Sequence, residues 1–445
     1  MGKGIRWGQL TAVLAGSAIL LSACGSNDKN GSPSPSAFAA SPSSSASAAP
    51  SASPSASAEN VTITYGLWDQ VQQPAMEAII AKFRETHPNI EVKIELTPWS
   101  EYWTKLDTAA TGGTLPDVFW MNGSSIVKFA ANGKLLAYDD YATADAFDWN
   151  VYPKSLVDMY SYKGKRYGMP KDYDTIGLWY NKALFDAKKL PYPDDTWDWN
   201  KAVEVAKQLT DPAKGIWGLP AQFQGQIGFY NTILEAGGYL LSPDGAKSGY
   251  GTPEGIRGIE LQTDLILKHK VSPTLAQMTD TNPKDLFKSG KVAMLMDGSW
   301  NVKDFATTEY TKANADVAVL PKDKVRSGII HGLGNVAAAN TKHPKEAWEF
   351  LKFLGSKDAA EIQAKDGTAL PAVSGGEELW LKSVPAFHLQ AFVDMAKVSV
   401  QYPATLHSDK WDGLEKETLK SAYTGESSAA DAAKLLGEKI DETLK

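Results

Sequence analysis

The stretch VTITYGLW, residues 61–68, sets the pattern of the fold, because every second residue from Val61 onward is apolar. This alternation predicts a β-strand with one buried face. Apolar residues then recur at helical spacing over 74–86, and IEVKIEL (90–96) alternates again. A helix over about 99–110 and a short strand PDVFW (116–120) complete a βαβαβ order. This order predicts an α/β fold with parallel strands that are covered by helices.

The same order of elements returns after residue 174. TIGLWYN (175–181) is predicted as a strand, and a helix is expected to follow it as far as about Lys189. Another helix is expected after Asn200, and GIWGLP (215–220) is predicted as the next strand. We therefore expect two α/β lobes, each with its own sheet.

The N-terminus has the features of an export signal. Lys3 and Arg6 precede a mostly apolar run over 10–21, and small residues follow the run. The run is too short to cross a bilayer, which takes about 20 apolar residues. We therefore predict that residues 1–23 are a cleaved signal peptide that takes no part in the fold.

The only cysteine of the chain, Cys24, directly follows this predicted signal. LSAC (21–24) resembles the bacterial lipobox, in which the cysteine becomes the lipid-modified first residue of the mature protein. The resemblance implies lipidation of Cys24, with palmitate among its acyl chains; the alternative is an ordinary signal with an incidental cysteine. Residues 24–59 are mainly Ser, Ala and Pro, which cannot bury enough apolar surface to fold. We expect this segment to be a flexible tether behind the anchor.

Charge and motif content exclude several functions. Removal of Lys3 and Arg6 with the signal leaves 43 basic residues against 52 acidic ones, a net charge of −9, which argues against a nucleic-acid partner. The six histidines are scattered outside any metal-binding motif, so we expect no metal site. The chain contains neither a phosphate-binding loop nor a serine-hydrolase motif, and we expect no cofactor.

Several blocks occur in an order that resembles family 1 of the extracellular solute-binding proteins, which are the carbohydrate receptors of bacterial ABC importers and include maltodextrin-binding proteins. The blocks are GKRYGMP (164–170), LWYNKALF (178–185), LTDPAKGIWGLP (209–220), LFKSGKVAMLMDGSW (286–300) and KHPKEAWEFLKFLGS (342–356). The resemblance implies a two-lobed periplasmic-binding-protein-like fold in which the lobes close by hinge bending on a ligand in the cleft between them.

The resemblance also implies the boundaries of the lobes. The chain would cross between the lobes three times, near 171–174, 322–328 and 383–385. The N-lobe would then comprise 60–171 plus 328–383, and the C-lobe would comprise 174–325 plus 386–445.

Ligands of open α/β sheets bind beyond the carboxyl ends of the strands. Trp68, Trp120 and Trp300 each follow or end a predicted strand next to polar residues. A pyranose presents apolar faces and a rim of hydroxyl groups, so it suits an aromatic ring with polar neighbours. With the family resemblance, this predicts the ligand-binding residues Trp68, Asp69, Gln70, Trp120, Asn122, Asp172, Asp174, Gln222, Gln224, Trp300, His331, Asn335 and Trp411. The alternatives are core packing for each tryptophan, solvated turns for the two carboxylates 172 and 174, and a structural hydrogen bond for the histidine.

The resemblance implies a monomeric, non-catalytic receptor that captures a carbohydrate, expected to be an oligosaccharide, and delivers it to a membrane-embedded ABC permease. It would be lipid-anchored at the extracytoplasmic face of a Gram-positive-like cell membrane. A surface glycoside hydrolase is one alternative, because paired carboxylates beside tryptophans also occur in glycosidase clefts. A sugar sensor or adhesion module is another.

Overall fold

The alternating stretch at residue 61 forms the strand that its pattern predicted. The structure is a computed structural model, and it describes residues 59–445; the predicted signal, Cys24 and nearly all of the tether lie outside the described residues. The strands are β1 (Val61–Leu67), β2 (Ile90–Leu96), β3 (Val118–Asn122), β4 (Ser161–Tyr162), β5 (Lys165–Arg166), β6 (Gly168–Asn181), β7 (Met294–Gly298), β8 (Ala315–Ala318), β9 (Gly328–Ala337), β10 (Leu370–Pro371) and β11 (Ser399–Gln401).

The helices cover these strands and connect most of them. They are α1 (Gln73–Thr86), α2 (Trp99–Gly112), α3 (Gly123–Ala131), α4 (Asp139–Ala144), α5 (Lys154–Met159), α6 (Lys182–Lys188), α7 (Trp199–Leu209), α8 (Tyr230–Glu235), α9 (Pro253–Leu267), α10 (Leu275–Asp280), α11 (Pro283–Lys288), α12 (Val302–Thr307), α13 (Glu309–Asn314), α14 (Pro344–Leu354), α15 (Lys357–Asp366), α16 (Glu377–Leu381), α17 (Gln390–Ala396), α18 (Ser408–Thr424) and α19 (Ala429–Thr443).

The predicted βαβαβ order is confirmed in the first part of the chain. Strand β1 pairs in parallel with both β2 and β3, and α1 and α2 make the two connections. Ile63, Tyr65 and Leu67 on one face of β1 are buried, as the alternation predicted. The first sheet is completed by β9, which runs antiparallel to β3.

The long strand β6 belongs to two groups of strands. Its first part pairs with β9 from Gly168 to Thr175, and β10 pairs on its other side. Its second part, from Ile176 to Asn181, pairs with β7 and β8. We expected a separate sheet for each lobe, and this was wrong, because β6 is a central strand of both groups and links them into one connected nine-stranded sheet.

The predicted strand GIWGLP (215–220) was also wrong. The backbone of Trp217 bonds to Lys291 and Ala293, whereas Gly218 and Leu219 bond to the carbonyl of Val271. A regular strand needs one neighbour over several residues. Because consecutive residues here have partners in different segments, only isolated bridges form.

Two clusters of buried side chains form the hydrophobic interior. One packs around β1–β3 and α14, where Trp348 is buried. The other contains residues of α7, α9, α18 and α19. The first cluster extends past the middle of β6, since Phe392 contacts both Trp179 and Trp380. The two groups of strands are therefore joined by packing as well as by backbone.

Residues 59–445 contain no helix that combines the length and apolar content that a membrane span needs. The same range contains no set of three or more His, Cys, Asp or Glu side chains that is arranged to hold a metal ion.

Candidate ligand-binding cleft

A cavity of about 410 Å³ lies beyond the carboxyl ends of β1, β3 and β7, beside the paired strands β6 and β9. Its position agrees with the rule that ligands of α/β sheets bind at these strand ends. The structure brings together eight of the predicted residues in its lining: Trp68, Asp69, Asn122, Asp172, Asp174, Gln224, Trp300 and His331.

The ring of Trp68 rests on other aromatic side chains. Its centroid lies 5.1 Å from that of Trp120 and 4.9 Å from that of Tyr102, both in edge-to-face geometry. Trp120 is fully buried, and its indole Nε1 donates a hydrogen bond to the hydroxyl of Tyr65 at 2.6 Å. Tyr65 in turn donates to Oδ1 of Asn335 at 2.7 Å. Trp120 and Asn335 thus lie behind the cavity and support Trp68 from the interior.

The ring of Trp300 enters the cavity from the end of β7. It is only partly buried, and it packs directly on the backbone of Gly298. A Cβ atom at residue 298 would lie 2.1 Å from Cζ3 of this ring, which is a severe overlap. The glycine of the block DGSW (297–300) therefore determines where the Trp300 ring can lie.

Asp172 is a buried carboxylate with strong partners. Lys171 donates to its Oδ2 at 2.6 Å, and the amide of Leu333 donates to its Oδ1 at 3.0 Å. The Lys171 ammonium also donates to Gln72 at 2.8 Å and lies 4.7 Å from the centroid of the Trp120 ring. The charge of Asp172 is thus balanced within the protein.

Asp174 and His331 face each other on β6 and β9, where they are direct partners in the strand register. Asp174 accepts one hydrogen bond, from Nε2 of Gln226 at 2.8 Å. Enclosure by protein, together with repulsion from Asp172, raises the pKa of Asp174 to about 8. Burial lowers the pKa of His331 to about 3, so its imidazole is neutral at physiological pH.

The neutral His331 contains a buried ring nitrogen without a partner. Its ring packs against that of Tyr402 at a tilt of 30°, with 4.4 Å between centroids, and its buried Nε2 makes no hydrogen bond within the described chain. Buried polar atoms are nearly always paired in folded proteins, so this nitrogen is an exception. Because Nε2 is shielded from solvent, His331 lines the cavity with other atoms of the residue.

The opposite wall carries a second buried carboxyl group. Asp297 at the end of β7 has its pKa raised to about 6, mainly by burial, while the amide of Gly298 donates to its Oδ1 at 2.7 Å. Asp304 also lines the cavity, but Lys288 contacts it at 2.6 Å and Lys284 at 3.6 Å. The cleft thus combines aromatic faces with carboxyl, amide and imidazole groups.

Five of the predicted residues do not line the cavity: Gln70, Trp120, Gln222, Asn335 and Trp411. Gln222 is buried, and its side-chain amide donates to the carbonyl of Met296 at 2.9 Å. Trp411, which we predicted to bind ligand, lies within α18, buried against α19, where its indole nitrogen donates to Thr443 at 3.1 Å.

The lining also contains residues that the sequence reasoning missed: Val71, Gln72, Trp99, Tyr173, Gln226, Ile227, Asn282, Lys284, Asp297, Ser299, Asn301, Asp304, Gly332, Leu333 and Ala369. Trp99 carried a usable signal, since it follows the carboxyl end of β2 as Trp68 follows that of β1. Asp297 and Ser299 are neighbours of Trp300 in the block DGSW. Gln226 gave no signal, because its contact with Asp174 depends on tertiary folding.

The class of protein follows from comparison with known families. Residues 68–361 match the family of bacterial extracellular solute-binding proteins. The match covers more than half of the chain, and the chain belongs to this family, whose members are binding proteins.

Individual relatives agree with this assignment. The galactooligosaccharide-binding protein of Bacillus subtilis is 25% identical over 314 residues, which are 68% of this chain and 71% of that protein. An ABC substrate-binding protein from Listeria monocytogenes, solved in complex with cycloalternan, is 26% identical with a TM-score of 0.82, over 86% of this chain and 98% of that one. The GacH receptor of Streptomyces glaucescens is 23% identical with a TM-score of 0.78 and the same coverage. These similarities confirm the two-lobed α/β fold.

The raised pKa of Asp174 predicts a pH-dependent effect of its removal. Between about pH 4 and pH 8 the folded protein holds a proton at residue 174 that the unfolded chain has lost, so this residue lowers stability as the pH rises. Asp174→Asn should raise the free energy of unfolding at about pH 8 by on the order of 1 kcal/mol, and hardly change it at about pH 4. Urea denaturation at both pH values measures this.

Asp172→Asn is the matched control, because it leaves the buried Lys171 ammonium without its partner and should destabilise the protein at both pH values. The interpretation of Asp174 fails if Asp174→Asn is as stable as the wild type at about pH 8, or less stable.

Proposed function

We propose that this protein captures a carbohydrate in the cleft and delivers it to a membrane-embedded ABC permease. The observation that carries the proposal is that two partly exposed indole rings, Trp68 and Trp300, line one cavity together with Asp174 and His331. Sugar rings have apolar C–H faces that stack on indole, and hydroxyl groups that need donors and acceptors at their rim.

The polar groups of the cleft suit hydroxyl groups. Asp174 has an oxygen free of protein donors, and it lies opposite His331 in the strand register. A hydroxyl group can both donate and accept, so it can pair with the carboxyl group of Asp174 in either protonation state. A ligand that lacks the hydroxyl would leave buried groups unpaired, and this is how such sites discriminate.

The relatives support the choice of an oligosaccharide. One is named for galactooligosaccharides, and one solved neighbour holds cycloalternan. The GacH receptor was solved with acarbose. The number of aromatic rings at the cleft, which includes Trp68, Trp99 and Trp300, is in keeping with a ligand of more than one sugar unit.

Closure would occur between an N-lobe of 60–171 plus 328–383 and a C-lobe of 174–325 plus 386–445. In support of the first crossing, β6 exchanges one set of partner strands for the other between Thr175 and Ile176. A ligand that contacts both lobes would favour the closed form by population shift.

The same cleft must also be considered as a hydrolase site, because Asp174 and Asp297 are carboxyl groups with raised pKa values. We favour binding without turnover, since the members of the family are binding proteins. Release of shorter products from a bound oligosaccharide would make the protein an enzyme instead.

A thermal-shift panel tests the function directly. Maltose, maltotriose, maltotetraose, galactooligosaccharides and cycloalternan would be compared with amino acids and short peptides. A ligand present at about 100 times its Kd stabilises the folded state by about 2.7 kcal/mol, so binding raises Tm. We expect at least one neutral oligosaccharide to raise Tm, with chromatography showing it intact afterwards. A shift with amino acids or peptides alone would contradict the proposal.

Gly298→Ala should weaken sugar binding through displacement of the Trp300 ring. The backbone at residue 298 has φ −82°, which alanine adopts readily, so the fold should be retained. Loss of one stacking contact should weaken binding about tenfold, measured by calorimetry. Because the effect acts through the ring, Gly298→Ala should add nothing in a Trp300→Ala background. Additive losses in the double variant would contradict this.

We also propose that Cys24 carries a lipid and that residues 25–59 tether the folded part above the membrane. The location of Cys24 directly after the predicted signal supports this. Cys24→Ser should abolish lipid attachment and release the protein into the medium of the producing cells, which fractionation and immunoblotting would detect. A variant that stays in the membrane fraction would point to an uncleaved signal segment as the anchor.

A further inference from the structure

Trp99 is unusually exposed for a tryptophan. It is the first residue of α2, it lines the cavity, and it is 49% exposed, whereas Trp68 beside it is mostly covered. A residue that both lines the cavity and faces solvent lies at its rim. Large aromatic side chains normally bury most of their surface, so this exposed ring calls for an explanation.

Two other apolar side chains close to Trp99, in the cavity lining or in sequence, are also exposed. Val71 is 39% exposed and lines the same cavity, and Leu96, 37% exposed, ends β2 three residues before Trp99. Single exposed apolar residues are normal on protein surfaces, so what distinguishes Trp99 is that its exposed ring also lines the cavity.

The Trp99 ring is held in a fixed orientation. Trp68 contacts it with 5.2 Å between centroids and 65° between planes, and Trp103 contacts it at 5.7 Å and 90°. Trp103 is itself braced edge-on by Tyr102 at 5.4 Å. Contacts of this kind restrain a ring while leaving the remainder of its surface accessible, which reduces the entropy lost when a ligand stacks on it.

A hydrogen-bonding side chain lines the same cavity as this ring. Asp69 accepts from the amide of Val71 at 2.9 Å and from Nε2 of Gln72 at 3.0 Å. These two bonds orient its carboxylate, whose remaining acceptor sites are open to further donors. An aromatic face and an oriented carboxylate in one cavity are a combination that suits a sugar ring.

We propose that Trp99 forms an outer subsite at the rim of the cleft, on which a neutral sugar unit stacks when the ligand is longer than the part enclosed by the cavity. This inference rests on the proposed function and deepens it, because it makes Trp99 a determinant of ligand length. Continuity with the cavity favours a glycan over a protein partner, since protein interfaces need about 20–30 residues a side and three exposed apolar residues provide far less.

The test measures whether the loss of affinity caused by removal of the Trp99 ring depends on the length of the ligand. Isothermal titration calorimetry would measure maltose, maltotriose, maltotetraose and maltohexaose, and galactooligosaccharides of matching lengths, against wild type and Trp99→Ala. We expect Trp99→Ala to weaken the longer members of the bound series about five- to tenfold, and to leave its shortest member within about twofold. Tm should hardly change, because the ring is half exposed.

Trp149→Ala is the matched control, since Trp149 is also a partly exposed tryptophan but does not line the cavity, and it should leave the dependence on length intact. Equal weakening for every length would overturn the subsite, because Trp99 would then act through Trp68. Unchanged affinity for all lengths would overturn it too, and loss of uptake in cells with unchanged affinity would assign the ring to a protein partner. Failure of the wild type to bind any of these sugars would instead defeat the proposed function.

Discussion

The cleft depends on the antiparallel pairing of β6 with β9. Asp174 is the one residue of β6 that is only partly buried, and the register places it directly opposite His331. Beyond Thr175, β6 pairs with β7, and Trp300 follows the end of β7. The same strand therefore positions both the polar residues and the Trp300 side of the cavity. A slip of β9 by one residue against β6 would turn the side chain of His331 to the other face of the sheet. The positions of Asp174 and His331 are thus fixed by backbone hydrogen bonds.

The aromatic walls are fixed by residues that cannot touch a ligand. Tyr65, Trp120 and Asn335 form a buried chain of hydrogen bonds under Trp68, and Gly298 leaves room for the ring of Trp300. Rings that are held in place before the ligand arrives lose little entropy on binding. This explains why a binding site needs a supporting layer that is nearly as specific as its lining.

Much of this architecture could be predicted from sequence, because it depends on local patterns. Apolar alternation located β1 and β2, and the rule about strand ends located Trp68, Asn122 and Trp300. The same rule could not separate Trp68 from Trp120, since both stand at strand ends and only packing decides which one covers the other. Trp411 was misplaced because the start of α18 at Ser408 has no capping side chain to mark it. Two features could not be predicted because they depend on segments far away in the chain. The residues of GIWGLP form hydrogen bonds with two different segments, and Gln226 reaches Asp174 across 52 residues.

We propose that one sugar ligand is held between the aromatic rings of Trp68 and Trp300 and the residue pair Asp174 and His331 on β6 and β9. The decisive experiment is a crystal structure of the protein with the oligosaccharide that binds most tightly. We expect sugar rings against Trp68 and Trp300, with a ligand hydroxyl group within hydrogen-bond distance of Asp174 and in contact with His331. A sugar bound elsewhere, or one in this cleft that touches neither Asp174 nor His331, would show that the cleft does not work in this way.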